Sequence, residues 1–318
     1  MKNFLITAKA FGGDQWPELE KLCLQGKVQP LMNPHDRAMS AEDICQINEK
    51  TPLAAIMNYS SSDEISRRVF ECCKQLEVVS RHGVGMDAID LEAAEEFGVE
   101  IRRTDNNTDN ESVADFTYAL MLGLIRRVYE TSQSLKSHRW ERPNSMDFWG
   151  KTLGIVGLGR IGKAVAARAV GFSLKILAHD PYVDPGYASE RGVRLCGLEE
   201  LLKTSDIVTL HCPLDAKTAG MIGPKQLQMM KRTGFLINAA RSGLVDQAAL
   251  LDALKNRTIA GAAVDVYDVE PALKDPLIEA GLDNLLPTPH VAAYTVECIR
   301  TMDRLAVTNA LDVLVKKG

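Results

Sequence analysis

Short apolar runs alternate with amphipathic stretches along most of the chain. Phe4–Thr7, Leu53–Met57, Leu76–Ser80 and Val99–Arg102 are brief apolar runs, and Glu18–Leu24, Asp63–Cys73 and Asp90–Phe97 between them space their apolar residues helically. Strands separated by helical patterns of this length read as βα units on a parallel sheet. From Lys151 the alternation resumes with stronger strands at Leu153–Val156, Leu174–Ala178, Ile207–Leu210, Phe235–Asn238 and Ala262–Val266. Helical patterns at Ile161–Val170, Leu198–Lys203, Pro224–Met230 and Asp246–Lys255 separate them. Near-continuous apolar strands imply burial on both faces, so a second, doubly wound domain of nucleotide-binding type is expected. Between the two, Asp105-Asn106-Asn107-Thr108-Asp109-Asn110 reads as a polar linker. Glu111–Ser137 follows as one long helix with Val113, Phe116, Leu120, Leu124 and Val128 on its apolar face. The tail, from about Thr295 to Lys317, is a further helix.

Composition narrows the function. With 318 residues, 46% of them apolar, the chain has material for two globular cores. Lys plus Arg number 37 against 42 Asp plus Glu, which provides no polycationic surface for a nucleic acid partner. The most apolar uncharged run, Phe116–Ile125, is too short to cross a membrane. The Met1-Lys2-Asn3 start followed by Phe4–Thr7 lacks a cleavage-site pattern, so a cytoplasmic protein is expected. Seven scattered cysteines without Cys-x-x-Cys or Cys/His spacing predict reduced thiols and no metal.

Gly157-Leu158-Gly159-Arg160-Ile161-Gly162 directly follows one predicted strand and opens a predicted helix. That context turns a weak glycine pattern into a dinucleotide site. Gly157 permits the tight turn, Gly159 removes a side chain where backbone approaches the pyrophosphate, and Gly162 lets helix and strand pack closely. Asp180 ends the next strand, where its carboxylate can accept both ribose hydroxyls and repel a 2′-phosphate, which favours NAD over NADP. Downstream, three segments deliver functional groups past strand ends: Arg241 after Phe235–Asn238, Glu270 after Ala262–Val266, and His290 from Pro287-Thr288-Pro289-His290. Singly these are a surface arginine, a loop acid and a boundary histidine. Beside a dinucleotide they form a cation for an anionic substrate and an imidazole acid with a carboxylate neighbour.

These segments together resemble the D-isomer-specific 2-hydroxyacid dehydrogenases. The likeness runs through Arg81-His82-Gly83-Val84-Gly85-Met86-Asp87, Glu111-Ser112-Val113-Ala114-Asp115, the glycine loop with Asp180, and His211-Cys212-Pro213-Leu214. It continues through Asn238-Ala239-Ala240-Arg241-Ser242-Gly243, Ala263-Val264-Asp265-Val266-Tyr267 with Glu270-Pro271, and Thr288-Pro289-His290-Val291-Ala292. The resemblance implies an α/β fold of two doubly wound parallel-sheet domains. A Rossmann NAD-binding domain (105–290) would be inserted in a flavodoxin-like substrate domain (1–104 plus 291–318), with hinges near 105 and 290. It implies that Arg241 grips the carboxylate and carbonyl oxygen of a small 2-keto or 2-hydroxy acid. His290 would exchange a proton with that oxygen, Glu270 would orient His290 and stabilise its imidazolium, and backbone N–H groups around Val84 and Gly85 would bind the carboxylate. Gly157, Gly159, Arg160, Ile161, Gly162, Asp180, Cys212, Pro213, Ala239 and Asp265 would line the NAD site, Asp265 facing the nicotinamide. A homodimer built on the cofactor domain is also implied.

The substrate stays open at this level. Phosphoglycerate-specific members carry Arg-Ser after the second strand where this chain reads Asn58-Tyr59-Ser60. Thr104-Asp105-Asn106 stands for the usual Asn-x-Pro, Asp115 for Glu, and Tyr294 for a small residue, and the end at Gly318 leaves no regulatory domain expected. Arg81, Arg102 and Arg103 are either a substitute phosphate site or ordinary exposed arginines. 3-Phosphoglycerate and hydroxypyruvate or glyoxylate are the candidate acids, and an NADH-sensing corepressor-like binding protein is the alternative on the same fold.

Overall fold

A computed structural model describes residues 1–104 and 107–316. Their contacts divide the chain into two units, residues 1–109 with the segment from Thr295 onward, and Asn110–Tyr294. The expected linker residues Asp105 and Asn106 lie outside the described residues.

The first unit is a parallel sheet of β1 (Lys2–Ile6), β2 (Val28–Met32), β3 (Leu53–Asn58), β4 (Val78–Arg81) and β5 (Glu100–Arg103), ordered β2-β1-β3-β4-β5. Alternate side chains of each strand serve opposite faces. Phe4, Ile6, Met57 and Val78 meet the helices Trp16–Gln25 and Val296–Lys316. Leu5, Ile56 and Val79 meet the helices Ala41–Lys50, Arg67–Cys72 and Leu91–Glu96. The sheet is doubly wound, and its order reverses between β1 and β3.

In the second unit β6 (Thr152–Val156), β7 (Lys175–His179), β8 (Val193–Leu195), β9 (Ile207–Leu210), β10 (Phe235–Asn238), β11 (Gly261–Val264) and β12 (Leu285–Pro287) are again all parallel. The order is β12-β11-β10-β9-β6-β7-β8, with the reversal between β6 and β9. Leu153, Ile155, Ile207 and Ile237 pack with Tyr118 and Met121 of the helix Asn107–Ile125 and Val165 of the helix Arg160–Ala169. Val156, Val208, Leu210 and Leu236 face Leu201, Leu227 and Leu250 on the other side. Reversal points are where open α/β sheets receive ligands, past the carboxyl ends of the strands.

Several expectations are corrected. The single helix over 111–137 is two, Asn107–Ile125 and Val128–Lys136, because Arg127 takes a left-handed conformation (φ 53°) and restarts the chain in a new direction. Val128 therefore leaves the apolar face and is 55% exposed. The first helix also starts inside the stretch read as a linker, since Asx residues suit a helix N-terminus as well as a loop. Strands β2, β8 and β12 and the helix Ala41–Lys50 carry no sufficient local signal. All three strands are sheet edges, half-buried, and β2 and β12 contain Pro30 and Pro287, which only an edge tolerates. The thiols are not all reduced: Cys45 and Cys72 form a disulfide, because the helices Ala41–Lys50 and Arg67–Cys72 pack together and bring their Cα atoms to 5.8 Å. Cys73 stays a thiol, pushed up to about 12 by burial.

One buried carboxylate organises the loops past β1 and β3. Asp63, 1% exposed, accepts hydrogen bonds from the Thr7 hydroxyl and from the Met39 and Ser60 N–H groups, while Thr7 Oγ1 accepts from Tyr59 N–H. Asp63→Ala would strand the buried Thr7 hydroxyl and Met39 N–H and the half-buried Ser60 N–H at ~1–3 kcal/mol each, offset in part by water entry, so a loss of about 3 kcal/mol in the first unit is expected. Urea unfolding checks it; an unchanged midpoint would show that the loops are held by other contacts.

Candidate active site

The second unit carries two adjoining sets of residues past its strand ends. The first is the glycine loop. Gly157 leaves β6 at φ 93°, and a Cβ there would stand 2.6 Å from the Cys212 nitrogen. A Cβ on Gly162 would stand 2.1 Å from the Gly157 carbonyl oxygen, so neither position accepts a side chain without moving backbone. Gly159, by contrast, faces open space within 4 Å and precedes the ten-residue helix Arg160–Ala169. A helix start of this kind presents N–H groups that the helix itself does not pair, which suits an anion. Asp180 follows β7, whose His179 lies in register with Val156 of β6. Its carboxylate accepts from Leu158 N–H at 2.7 Å and from Tyr182 and Val183 N–H at 2.8 and 3.1 Å, which fixes it against the loop. Cys212 and Pro213 follow β9 on the other side of the reversal point. Burial pushes the Cys212 thiol up to about 11. His211 before it is held neutral, with burial bringing it down to about 4, and shares a 2.9 Å hydrogen bond with Thr209. These residues fit a dinucleotide: a backbone cradle that a Cβ would fill, helix N–H donors, and a carboxylate for ribose hydroxyls.

The second set joins Arg241, Glu270 and His290. Asn238, 2% exposed at the end of β10, accepts from Ala240 N–H at 3.1 Å and donates to the Arg241 carbonyl at 2.9 Å, closing the turn that carries Arg241 and Ala239. Asp265 follows β11 and is fully buried; its oxygens accept from the Thr288 hydroxyl at 2.6 Å and from Val291 and Ala292 N–H at 3.1 and 2.9 Å. Burial raises its pKa in spite of those donors. The residues either side of His290 are thereby pinned, and His290 itself takes a left-handed conformation (φ 54°). Its Nδ1 lies 3.0 and 2.9 Å from the two Glu270 oxygens, and Glu270 also accepts from Tyr267 N–H at 3.2 Å. Burial pushes Glu270 up, but the hydrogen bond and charge of His290, the Tyr267 N–H and the charge of Arg241 outweigh it, so its pKa is lowered. Because the folded value is depressed, the pair's stabilisation is present above the ordinary glutamate range and is lost as pH falls through the lowered value. With Nδ1 engaged, Nε2 of His290 is the atom left to exchange a proton with a bound molecule.

Asn238, Thr288 and Tyr267 are positioning residues that sequence reasoning left without a role; a polar residue ending an otherwise apolar strand is the signal that marks Asn238. Val84 and Gly85 belong to the first unit, in the loop after β4. Gly83 there adopts φ 123° and donates to the buried Thr104 hydroxyl at 2.7 Å. Among the described residues neither Val84 N–H nor Gly85 N–H has a hydrogen-bond partner.

A family model described as D-isomer specific 2-hydroxyacid dehydrogenase, NAD binding domain, matches residues 118–292. The D-3-phosphoglycerate dehydrogenase of Methanocaldococcus jannaschii is 38% identical over 272 residues, 85% of this chain and 51% of its own. The glyoxylate reductase of Korarchaeum cryptofilum is 40% identical over 257 residues, covering 79% of this chain and 76% of that one. The solved D-lactate dehydrogenase of Aquifex aeolicus, complexed with NAD and lactic acid, aligns with a TM-score of 0.85 at 25% identity, covering 99% of this chain and 96% of that one. The chain spans about half the length of the phosphoglycerate dehydrogenases it matches.

Gly157→Ala should weaken NADH binding at least tenfold, since the added methyl displaces Cys212 backbone beside the cradle. Fluorescence titration measures it, and unchanged affinity would remove the loop from the cofactor site.

Proposed function

Because the chain belongs to the D-isomer-specific 2-hydroxyacid dehydrogenases, we propose that it interconverts a D-2-hydroxy acid and its 2-keto acid, with NAD as cofactor. The observation that carries this reading is the Glu270–His290 pair at 2.9 Å in the same unit as the glycine cradle. Bound NADH supplies the hydride. His290 Nε2 gives a proton to the carbonyl oxygen in reduction and takes it from the hydroxyl in oxidation. Glu270 holds the ring by Nδ1 and stabilises the imidazolium. Arg241 offers a planar fork to the carboxylate and carbonyl oxygens. Asp180 receives the ribose hydroxyls. Asp265 acts by holding the 288–292 segment that presents His290. The named activities of the relatives, on 3-phosphoglycerate and glyoxylate, frame the choice of acid.

We also propose a homodimer through the second unit. Between the helix Val128–Lys136 and β6, Trp140 and Trp149 are 79% and 72% exposed, and Val128, Tyr129 and Leu135 of the same stretch of chain are exposed as well. So many large exposed apolar side chains in one stretch of chain suit cover by a second copy. Sedimentation at micromolar concentration should give twice the chain mass; a monomer would end this reading.

The chemistry has its own test. Reduction needs imidazolium and should slow as pH rises, whereas oxidation needs neutral imidazole and should quicken, both governed by one group. Glu270→Gln removes the charge that favours imidazolium, so both limbs should move to lower pH. Steady-state profiles in both directions decide it, and limbs that stay in place would withdraw the roles given to Glu270 and His290.

A further inference from the structure

The first unit carries a cluster of sulfurs outside the candidate active site. Cys45, on the helix Ala41–Lys50, is bonded to Cys72, which ends the helix Arg67–Cys72, and Cys73 Sγ lies 3.6 Å from Cys72 Sγ. Their access differs. Cys45 and Cys73 are each 2% exposed, whereas Cys72 is half-buried where its helix gives way to exposed Lys74 and Gln75. An incoming thiolate therefore reaches the bond at Cys72. Cys73 does not compete with it, because burial keeps that thiol protonated at neutral pH and the thiolate is the attacking form.

Each bonded sulfur also has a backbone carbonyl within reach. Cys45 Sγ lies 3.7 Å from the Arg68 oxygen, and Cys72 Sγ lies 3.4 Å from the Val69 oxygen. As thiols both would donate there, so opening the bond strands no polar hydrogen between the helices. Asn48 holds the same interface without sulfur: its Nδ2 donates to the Cys72 carbonyl at 2.9 Å, and its Oδ1 accepts from Leu53 N–H at 2.9 Å at the start of β3. Ile44, Val69 and Phe70 add apolar cover. The two helices thus have contacts that keep them docked in either state of the sulfurs.

We propose that Cys45–Cys72 is a redox-active pair, opened in the folded chain by a dithiol that attacks Cys72 Sγ. One thiolate of the dithiol bonds to Cys72 as the bond to Cys45 breaks, and Cys45 leaves as a thiolate and takes up a proton. The second thiol of the dithiol gives up its proton and attacks its own partner sulfur in this mixed disulfide. Cys72 is released and protonated, and the dithiol becomes a cyclic disulfide. The pair gains two electrons and two protons, and the dithiol loses them; exchange with a small disulfide in the opposite sense closes the bond. The 27-residue separation between the two cysteines takes in β3 and Asp63. Ala41 N–H on Glu64 Oε2 at 3.2 Å, and Glu64 N–H on the Met39 carbonyl at 2.9 Å, join the start of one helix to the loop leading into the other. Opening the pair removes the covalent brace across this framework, and its backbone opens more often.

Thiol alkylation of the full, folded chain, read by peptide mass mapping, is the test. After oxidised glutathione Cys45 and Cys72 should appear as one linked peptide, dithiothreitol without denaturant should abolish it, and a second exposure to oxidised glutathione should restore it. On opening, hydrogen exchange over residues 41–50 and 60–72 should quicken about tenfold or more, with the strands of the second unit within about twofold. Cys72 in Cys45→Ser should be alkylated at least about tenfold faster than Cys45 in Cys72→Ser. A link that survives dithiothreitol until denaturant is added, a link that never forms or joins other cysteines, or unchanged exchange over 41–50 and 60–72 overturns the proposal. Equal alkylation rates in the two variants overturn attack at Cys72.

Discussion

The placement of His290 depends on the buried carboxylate of Asp265. It closes β11 and accepts three hydrogen bonds from Thr288, Val291 and Ala292, so the segment bearing His290 cannot drift from the strand end. A buried acid of this kind is tolerable only when its oxygens are satisfied. Here the donors that satisfy it come from the residues flanking His290, and stability and positioning are one requirement. Thr288 N–H on the Val264 carbonyl and the Tyr267 hydroxyl beside the Thr288 carbonyl reinforce the same segment.

The first unit repeats this logic with other residues. Asp63 gathers the loops past β1 and β3, and Arg81 gathers Asn58, Tyr59 and Gly85. In both units charged groups are consumed in shaping backbone. Such sites are stiff because a buried unpaired partner costs more than a surface ion pair returns. This is also why the number of arginines near a site says little about the charge a ligand meets.

Glycine supplies the complementary constraint in the second unit. A Cβ on Gly157 or Gly162 would meet neighbouring backbone at 2.6 or 2.1 Å, whereas one on Gly159 would meet nothing within 4 Å. Two of the three thus serve the packing of β6, β9 and the helix Arg160–Ala169, and the third keeps open the space a dinucleotide needs.

Much of this was legible in the residues. Central strands such as Ile207–Leu210 and Phe235–Asn238 are continuous apolar runs because both their faces are buried, and local pattern reports burial directly. The glycine loop and Asp180 were legible because their spacing is set by one strand-loop-helix unit, and Arg241, Glu270 and His290 because each follows a strand end. What tertiary structure alone decided involves partners far apart in sequence. The edge strands β2, β8 and β12 owe their conformation to a neighbouring strand, and Arg127 breaks a helix that periodicity continues. The Cys45–Cys72 bond depends on two helices packing, and the use of Arg81 as a tie to the Asn58, Tyr59 and Gly85 backbone depends on strands ending side by side. Local sequence encodes what each segment buries; which groups satisfy one another is set only when the sheets form.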